Sequence, residues 1–158
     1  MSGVHYRSTG RPYRERMATT LFSHRPLGLP RDRVGSLALR RDRIRLRTVM
    51  VDGATVGRII DVVLDRQARR LCGFAVACSE GERFLPLTAV AAIGPSGIEV
   101  ESQLHLVEEI DFYRRDGLSL NDVLGRRFAS GTIDDVVARM DTGEVEAYVL
   151  DNGARATP

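Results

Sequence analysis

Apolar and polar residues alternate with period two at several places along the chain, the mark of half-buried strands. Arg43-Ile44-Arg45-Leu46-Arg47-Thr48-Val49 predicts such a strand, with Ile44 and Leu46 facing inward. Asp52-Gly53 is a tight-turn dipeptide, and the β-branched run from Val56 to Asp65 predicts the strand that follows it. Leu71 to Cys78 predicts a third strand. Arg83-Phe84-Leu85-Pro86-Leu87 predicts a short one that Pro86 ends or confines to an edge. Val90–Ile93 and Gly97–Val100 flank Gly94-Pro95-Ser96-Gly97 and predict a hairpin. In residues 103–116, Leu104, Leu106, Val107, Ile110 and Phe112 stand among acids, a pattern open to a short helix or an extended linker that Gly117 ends.

Beyond that point the pattern restarts. Gly57-Arg58-Ile59-Ile60-Asp61-Val62-Val63 overlays Gly131-Thr132-Ile133-Asp134-Asp135-Val136-Val137 at an ungapped offset of 74, with five of seven residues identical. The same offset pairs Leu71 with Val145, Phe74 with Tyr148, Ala75 with Val149 and Val76 with Leu150, and upstream Val49 with Val123. One register kept through a turn predicts an internal duplication. Its second copy is expected to be incomplete, because the counterpart of the Phe84–Val100 hairpins would begin where the sequence stops. Half a unit leaves strand edges open. The missing pairing is expected from residues 37–49, from the linker, or from a second chain in a homodimer.

Composition narrows the class. With no Trp and 6% aromatics, a core must rest on Val, Ile, Leu and Ala, and 43% hydrophobic residues suffice to build one. All 23 basic side chains are Arg, a bias that fits anion recognition or, since it runs along the whole chain, arginine-rich codon usage. The net charge of +2 hides an asymmetry. Residues 1–47 hold 12 Arg against Glu15, Asp32 and Asp42, a net of +9, whereas residues 48–158 hold 11 Arg against 18 acids, a net of −7. Residues 1–36 therefore read as a basic, largely disordered arm, in which Met17 is an alternative translation start. Cys72 and Cys78, six residues apart on one strand, would sit roughly 20 Å apart, too far for a disulfide. They read as small buried hydrophobes of a reducing compartment. No apolar run approaches the roughly 20 residues of a membrane span, and no signal core precedes the arm, so a cytoplasmic location is expected.

The first copy resembles the PRC-barrel family, small β-barrels named after the H subunit of the photosynthetic reaction centre. The resemblance rests on Val49-Met50-Val51-Asp52-Gly53 and Val56-Gly57-Arg58-Ile59-Ile60-Asp61-Val62-Val63-Leu64-Asp65. It continues through the strand Leu71–Val76, Phe84-Leu85-Pro86-Leu87, and Ala91-Ala92-Ile93-Gly94 before Ile98-Glu99-Val100. It covers residues 44–102 and, more faintly, 120–153. It implies a mainly β fold: a PRC-type barrel over 37–102, a linker over 103–119, and a second, truncated PRC-like unit over 120–158. Gly57 and Asp61, with their counterparts Gly131 and Asp135, are the structural repeat positions, the glycine leaving a tight turn and the aspartate bracing a turn or strand edge. The family includes the C-terminal domain of the ribosome maturation factor, so the resemblance implies binding or scaffolding and no turnover.

Candidate chemistry is sparse. Asp141-Thr142-Gly143 matches the aspartic-protease triplet, but Glu144 beside it is a poor neighbour for a half-protonated dyad, and a β-turn is the expected reading. Arg43, Arg45 and Arg47 form a predicted interaction surface, compensated by Glu99 and Glu101 if the two strands pair. His5, His24 and His105 lack metal-ligand spacing, and no cofactor, metal or catalytic residue is expected. The expected function is a non-enzymatic protein-interaction or scaffold module. The alternative is an RNA- or ribosome-associated factor that uses the basic arm.

Overall fold

The computed structural model describes residues 35–158. Residues 1–34 of the predicted arm, with Met17, His5 and His24, lie outside the described residues. The described chain is mainly β, with two sheets. Its strands are β1 (Ser36–Ala38), β2 (Thr48–Val51), β3 (Ala54–Leu64), β4 (Leu71–Cys78), β5 (Gly81–Pro86), β6 (Val90–Gly94) and β7 (Gly97–Val100). They continue as β8 (Leu118–Ser119), β9 (Arg127–Phe128), β10 (Gly131–Arg139), β11 (Val145–Leu150) and β12 (Arg155–Ala156). Two helices, α1 (Ile110–Asp116) and α2 (Leu120–Val123), flank β8.

The first sheet runs β5-β4-β3-β2-β7-β6, with β8 added to β3. Its neighbours are antiparallel except β2 and β7, where Thr48 faces Gly97 and Met50 faces Glu99 in parallel. The path is open: no closed barrel forms among the described residues. The second sheet runs β1-β10-β11-β12, with β9 on β10.

Local chemistry accounts for most boundaries. Asp52 and Gly53 both take left-handed backbone (φ 50 and 78), the geometry that lets a two-residue turn follow the twist of β2 and β3. Gly57 has a different role from the expected turn exit. A Cβ there would sit 2.6 Å from Val76 Cγ1 and 2.8 Å from the Ala77 carbonyl, so glycine permits β3 and β4 to approach closely. The linker resolves into a 3-10 turn (Gln103–His105) and α1, which ends at Gly117.

The strand predicted over Arg43–Val49 is corrected. Arg43 turns left-handed (φ 52), Ile44–Leu46 form a 3-10 helix, and only Thr48 onward is extended. Ile44 is fully buried but Leu46 is 63% exposed. With three residues per turn, positions two apart point in different directions, so alternation in sequence did not produce a common face. The Val123 region, aligned with β2 in sequence, forms α2 instead. Ser119 and Asp122 close a reciprocal capping box there, which fixes a helical start; the position 74 residues before Ser119 is Arg45, which has no capping hydroxyl.

The pairing irregularities of the two sheets recur 74 positions apart. β3 against β4 shifts register between Ile59 and Asp61 and between Val63 and Leu64; β10 against β11 shifts between Ile133 and Asp135 and between Val137 and Ala138. The first strands are exchanged. β1 pairs with β10 at Val137 and Ala138, while β8 pairs with β3 at the corresponding Val63 and Leu64. Where the hairpins meet, Leu71 N–H donates to the Gly143 carbonyl (2.7 Å) and Val145 N–H to the Arg69 carbonyl (2.9 Å). Arg70 bridges antiparallel to Glu144, its own counterpart at that offset. Apolar side chains from both sheets, among them Ile59, Val62 and Phe74 with Ile133, Val136 and Tyr148, belong to one buried cluster.

Candidate functional site

The three predicted interface arginines do not form a ladder. Arg43 is exposed at the left-handed turn. Arg45 donates from Nε to the Ile60 carbonyl (3.0 Å) and from a guanidinium nitrogen to Asn121 Oδ1 (2.8 Å). Arg47 donates to the carbonyls of Gly94 (2.9 Å) and Asp42 (3.3 Å). Their compensation therefore comes from backbone carbonyls and an amide, whereas Glu99 and Glu101 make no ion pair with them among the described residues. The cause is the parallel register that sets Glu99 opposite Met50.

The two repeat aspartates each sit one residue beyond a bulge and receive the strand exchanged from the other unit. Asp61 Oδ1 accepts from its neighbour Val62 N–H (2.8 Å), and Oδ2 accepts from the Ser119 hydroxyl (2.6 Å) at the end of β8. Asp135 is fully buried. Its Oδ1 accepts from Arg40 N–H (2.8 Å) and Val136 N–H (2.7 Å), and its Oδ2 from Arg41 N–H (2.9 Å). A buried carboxylate persists when charge-assisted donors replace its water. These side chains are clamps for the incoming segments. Asp134, beside Asp135, is a surface partner of the Arg40 and Arg41 guanidinium groups.

Asp141-Thr142-Gly143 is the predicted turn, with Gly143 at φ 77. Asp141 is held below the ordinary carboxylate range by the Arg139 guanidinium, which bonds it at 3.0 and 2.6 Å. An exposed Asp whose carboxylate form is favoured by a guanidinium is a poor member of a proton-sharing dyad. Cys72 and Cys78 are free and half-buried, and burial pushes both thiols up. Among the described residues no group of His, Cys, Asp and Glu has metal-binding geometry. No helix there is long and apolar enough to cross a membrane. A shallow polar cleft of ≈ 410 Å³ lies between the β9–β10 and β11–β12 turns. Its carboxylate, Asp151, is already taken by the Thr132 hydroxyl (2.8 Å) and N–H (3.2 Å).

The predicted linker runs along the first sheet. Val107 exchanges backbone hydrogen bonds with Phe84, 2.7 Å each way, along the outer edge of β5. α1 then lies on the sheet. Tyr113 stacks on Phe84 with ring centroids 3.6 Å apart, and Ile110 packs with Val63, Ala75 and Phe84 in a small cluster separate from the main core. Ile60 and Cys72 border that cluster. Arg83 pairs with Glu108, and Arg114 with Glu82 (2.6 Å), so charge flanks the apolar seat on both sides. Leu104 is 91% exposed and Phe112 54%, so the same segment presents large apolar groups to water.

No protein-family model matches the chain, and no curated protein matches it either.

Proposed function

We propose that the chain is a PRC-barrel-type protein-interaction module with no substrate to turn over. The observation that carries this reading is the order of elements in the first sheet. An Asp-Gly hairpin leads into long strands β3 and β4, then the Phe-Leu-Pro element in β5, then the β6–β7 hairpin that returns beside β2. The segment that carries the exposed Leu104 and Phe112 lies beside the β5 edge, and it is the surface this reading assigns to contact. The test is light scattering across concentration joined to crosslinking and mass spectrometry of material purified with the chain. Crosslinks converging on residues 101–116 are expected. A strict monomer that retains no partner overturns the proposal.

One observation favours a second reading, as an RNA-associated factor: the net +9 of residues 1–47, with Arg41 and Arg43 exposed. Phosphate contacts release counterions, so RNA affinity would fall steeply with salt. RNA binding that is indifferent to salt, or to deletion of residues 1–36, excludes it.

A further inference from the structure

We infer that α1 is a displaceable strap, and that the sheet face beneath it is a docking face for an amphipathic helix of α1's own pattern. This rests on the interaction-module reading and names its surface and the chemistry of its partner.

The face consists of Ile60, Val63, Cys72, Ala75 and Phe84 on β3, β4 and β5. Counterparts 74 positions on, at the second sheet, are Asp134, Val137, Glu146 and Val149 for the first four. Two of these four are carboxylates, whereas Val137 and Val149 stay apolar and buried. Asp134 engages Arg40, and Glu146 accepts from the Ser36 hydroxyl (2.5 Å). The two units share inward residues and differ on this outer face at Ile60 and Cys72, the two β-strand positions that border the α1 cluster.

The resident helix is lightly held. It has seven residues and no side-chain cap at Glu109. Only Ile110 of its residues is buried, with Tyr113 partly so. Three ion pairs assist, Arg83–Glu108, Arg114–Glu82 and Arg66–Asp116; Glu108 and Arg66 lie largely in water, and Arg114 and Glu82 are each a little under half exposed. Its cluster is separate from the main core. Both ends are anchored independently, by Val107 on β5 and by β8 on β3. Lifting residues 108–117 therefore leaves both sheets paired. Segments with few buried apolar contacts open below the free energy of global unfolding.

The seat defines its occupant: an apolar residue and an aromatic three positions later, an acid before them to meet Arg83, and a base after them to meet Glu82. Such i, i+3 anchors are the helix-in-groove mode of recognition. A partner helix of this pattern replaces α1, and α1 keeps the face dry until then.

The test uses the full chain, with a labelled peptide of residues 108–117 as the probe. Hydrogen exchange is expected to show the amides of Phe112 to Gly117 opening independently of low denaturant, while those of β3 and β4 open only globally. The peptide is expected to bind the Ile110→Ala/Tyr113→Ala chain saturably and wild type much more weakly. Adding Arg83→Glu should weaken it by about tenfold through charge repulsion at the seat. Exchange of α1 only with global unfolding overturns the inference, as does a peptide that ignores the vacated seat or is insensitive to Arg83→Glu. None of these readouts depends on a retained partner, so a failure here is distinct from a failure of the interaction-module reading.

Discussion

Asp135→Asn separates a clamp from an ordinary surface acid. The carboxylate accepts three backbone N–H groups, from Arg40, Arg41 and Val136, with no exposure to water. Asparagine retains one acceptor oxygen. Placed as Oδ1 it keeps Arg40 and Val136, but its amide then faces the Arg41 N–H, donor against donor. An orphaned donor costs about 1–3 kcal/mol, and the two surviving bonds lose their charge assistance, at about 0.5 kcal/mol each. The sum is about 2–4 kcal/mol. The matched change Asp61→Asn is far milder. Val62 N–H keeps its oxygen, and the Ser119 hydroxyl, now a donor to Oδ2, can rotate to accept from the new amide. That substitution should cost under about 1 kcal/mol. Arg40→Ala provides the control, because Arg40 reaches Asp135 through its main chain and loses only exposed contacts, the ion pair with Asp134 and a guanidinium bond to the Asp134 carbonyl (3.0 Å). Urea unfolding monitored by circular dichroism measures all three, and the m-value should not change. Equal costs for Asp61→Asn and Asp135→Asn, or Asp135→Asn within about 0.5 kcal/mol of wild type, would refute the clamp.

Further outcomes follow from single contacts. Gly143→Ala should destabilise by more than about 3 kcal/mol, and Gly153→Ala by only about 1–2 kcal/mol. Both glycines have left-handed backbone (φ 77 and 81), but only at Gly143 would the new Cβ sit 2.5 Å from a carbonyl, that of Leu71. Tyr148→Phe removes the hydroxyl bond to the Ala68 carbonyl (2.9 Å) across the two units and should cost about 1 kcal/mol in the same assay. Burial raises the Tyr148 phenol above its ordinary value of 10.0, so the unfolded chain loses that proton first. Wild-type stability should therefore decline as pH climbs past that value, and Tyr148→Phe should remove that part of the decline. Thr132 bonds hold Asp151 below the ordinary 3.8. Thr132→Val should raise the Asp151 value in a carboxyl-carbon NMR titration. With the folded value depressed, the stabilisation is present above the ordinary value and fades as pH falls through the folded one.

Where an element is decided by neighbours in sequence, the chain announces it. Asp52-Gly53, the β3 and β4 runs, the Gly94–Gly97 hairpin and the Asp141–Gly143 turn all form where turn chemistry and β-branched residues place them. The 3-10 turn at Ile44 escapes that reading because apolar residues two apart suit a strand, and what bends the chain is a left-handed Arg43 together with Asp42, whose carboxylate caps Ala38 N–H at 2.8 Å. The exchange of β1 and β8 is invisible for another reason: strands of three and two residues carry no period. Residues 37–49 are one of the three expected sources of the missing pairing. β1 does complete the second sheet, and the linker's end repays the first through β8.

The same offset separates what a single sequence can say about a site from what it cannot. Inward positions are kept in kind: Ile59, Val62, Leu64, Phe74 and Val76 meet Ile133, Val136, Ala138, Tyr148 and Leu150, all within the shared core. Each must pack apolar surface inside the shared core, where Leu64 to Ala138 changes volume but none of the pairs changes to a charged residue. Two outward positions diverge, Ile60 to Asp134 and Cys72 to Glu146, while Val63 and Ala75 stay apolar as Val137 and Val149. An apolar residue there is stable only under cover, and a carboxylate only beside water or a cation. Divergence on the outer face thus marks where the two units take different neighbours. It singles out α1 and the surface beneath it, where alternation along one strand would have recorded only a strand buried on both faces.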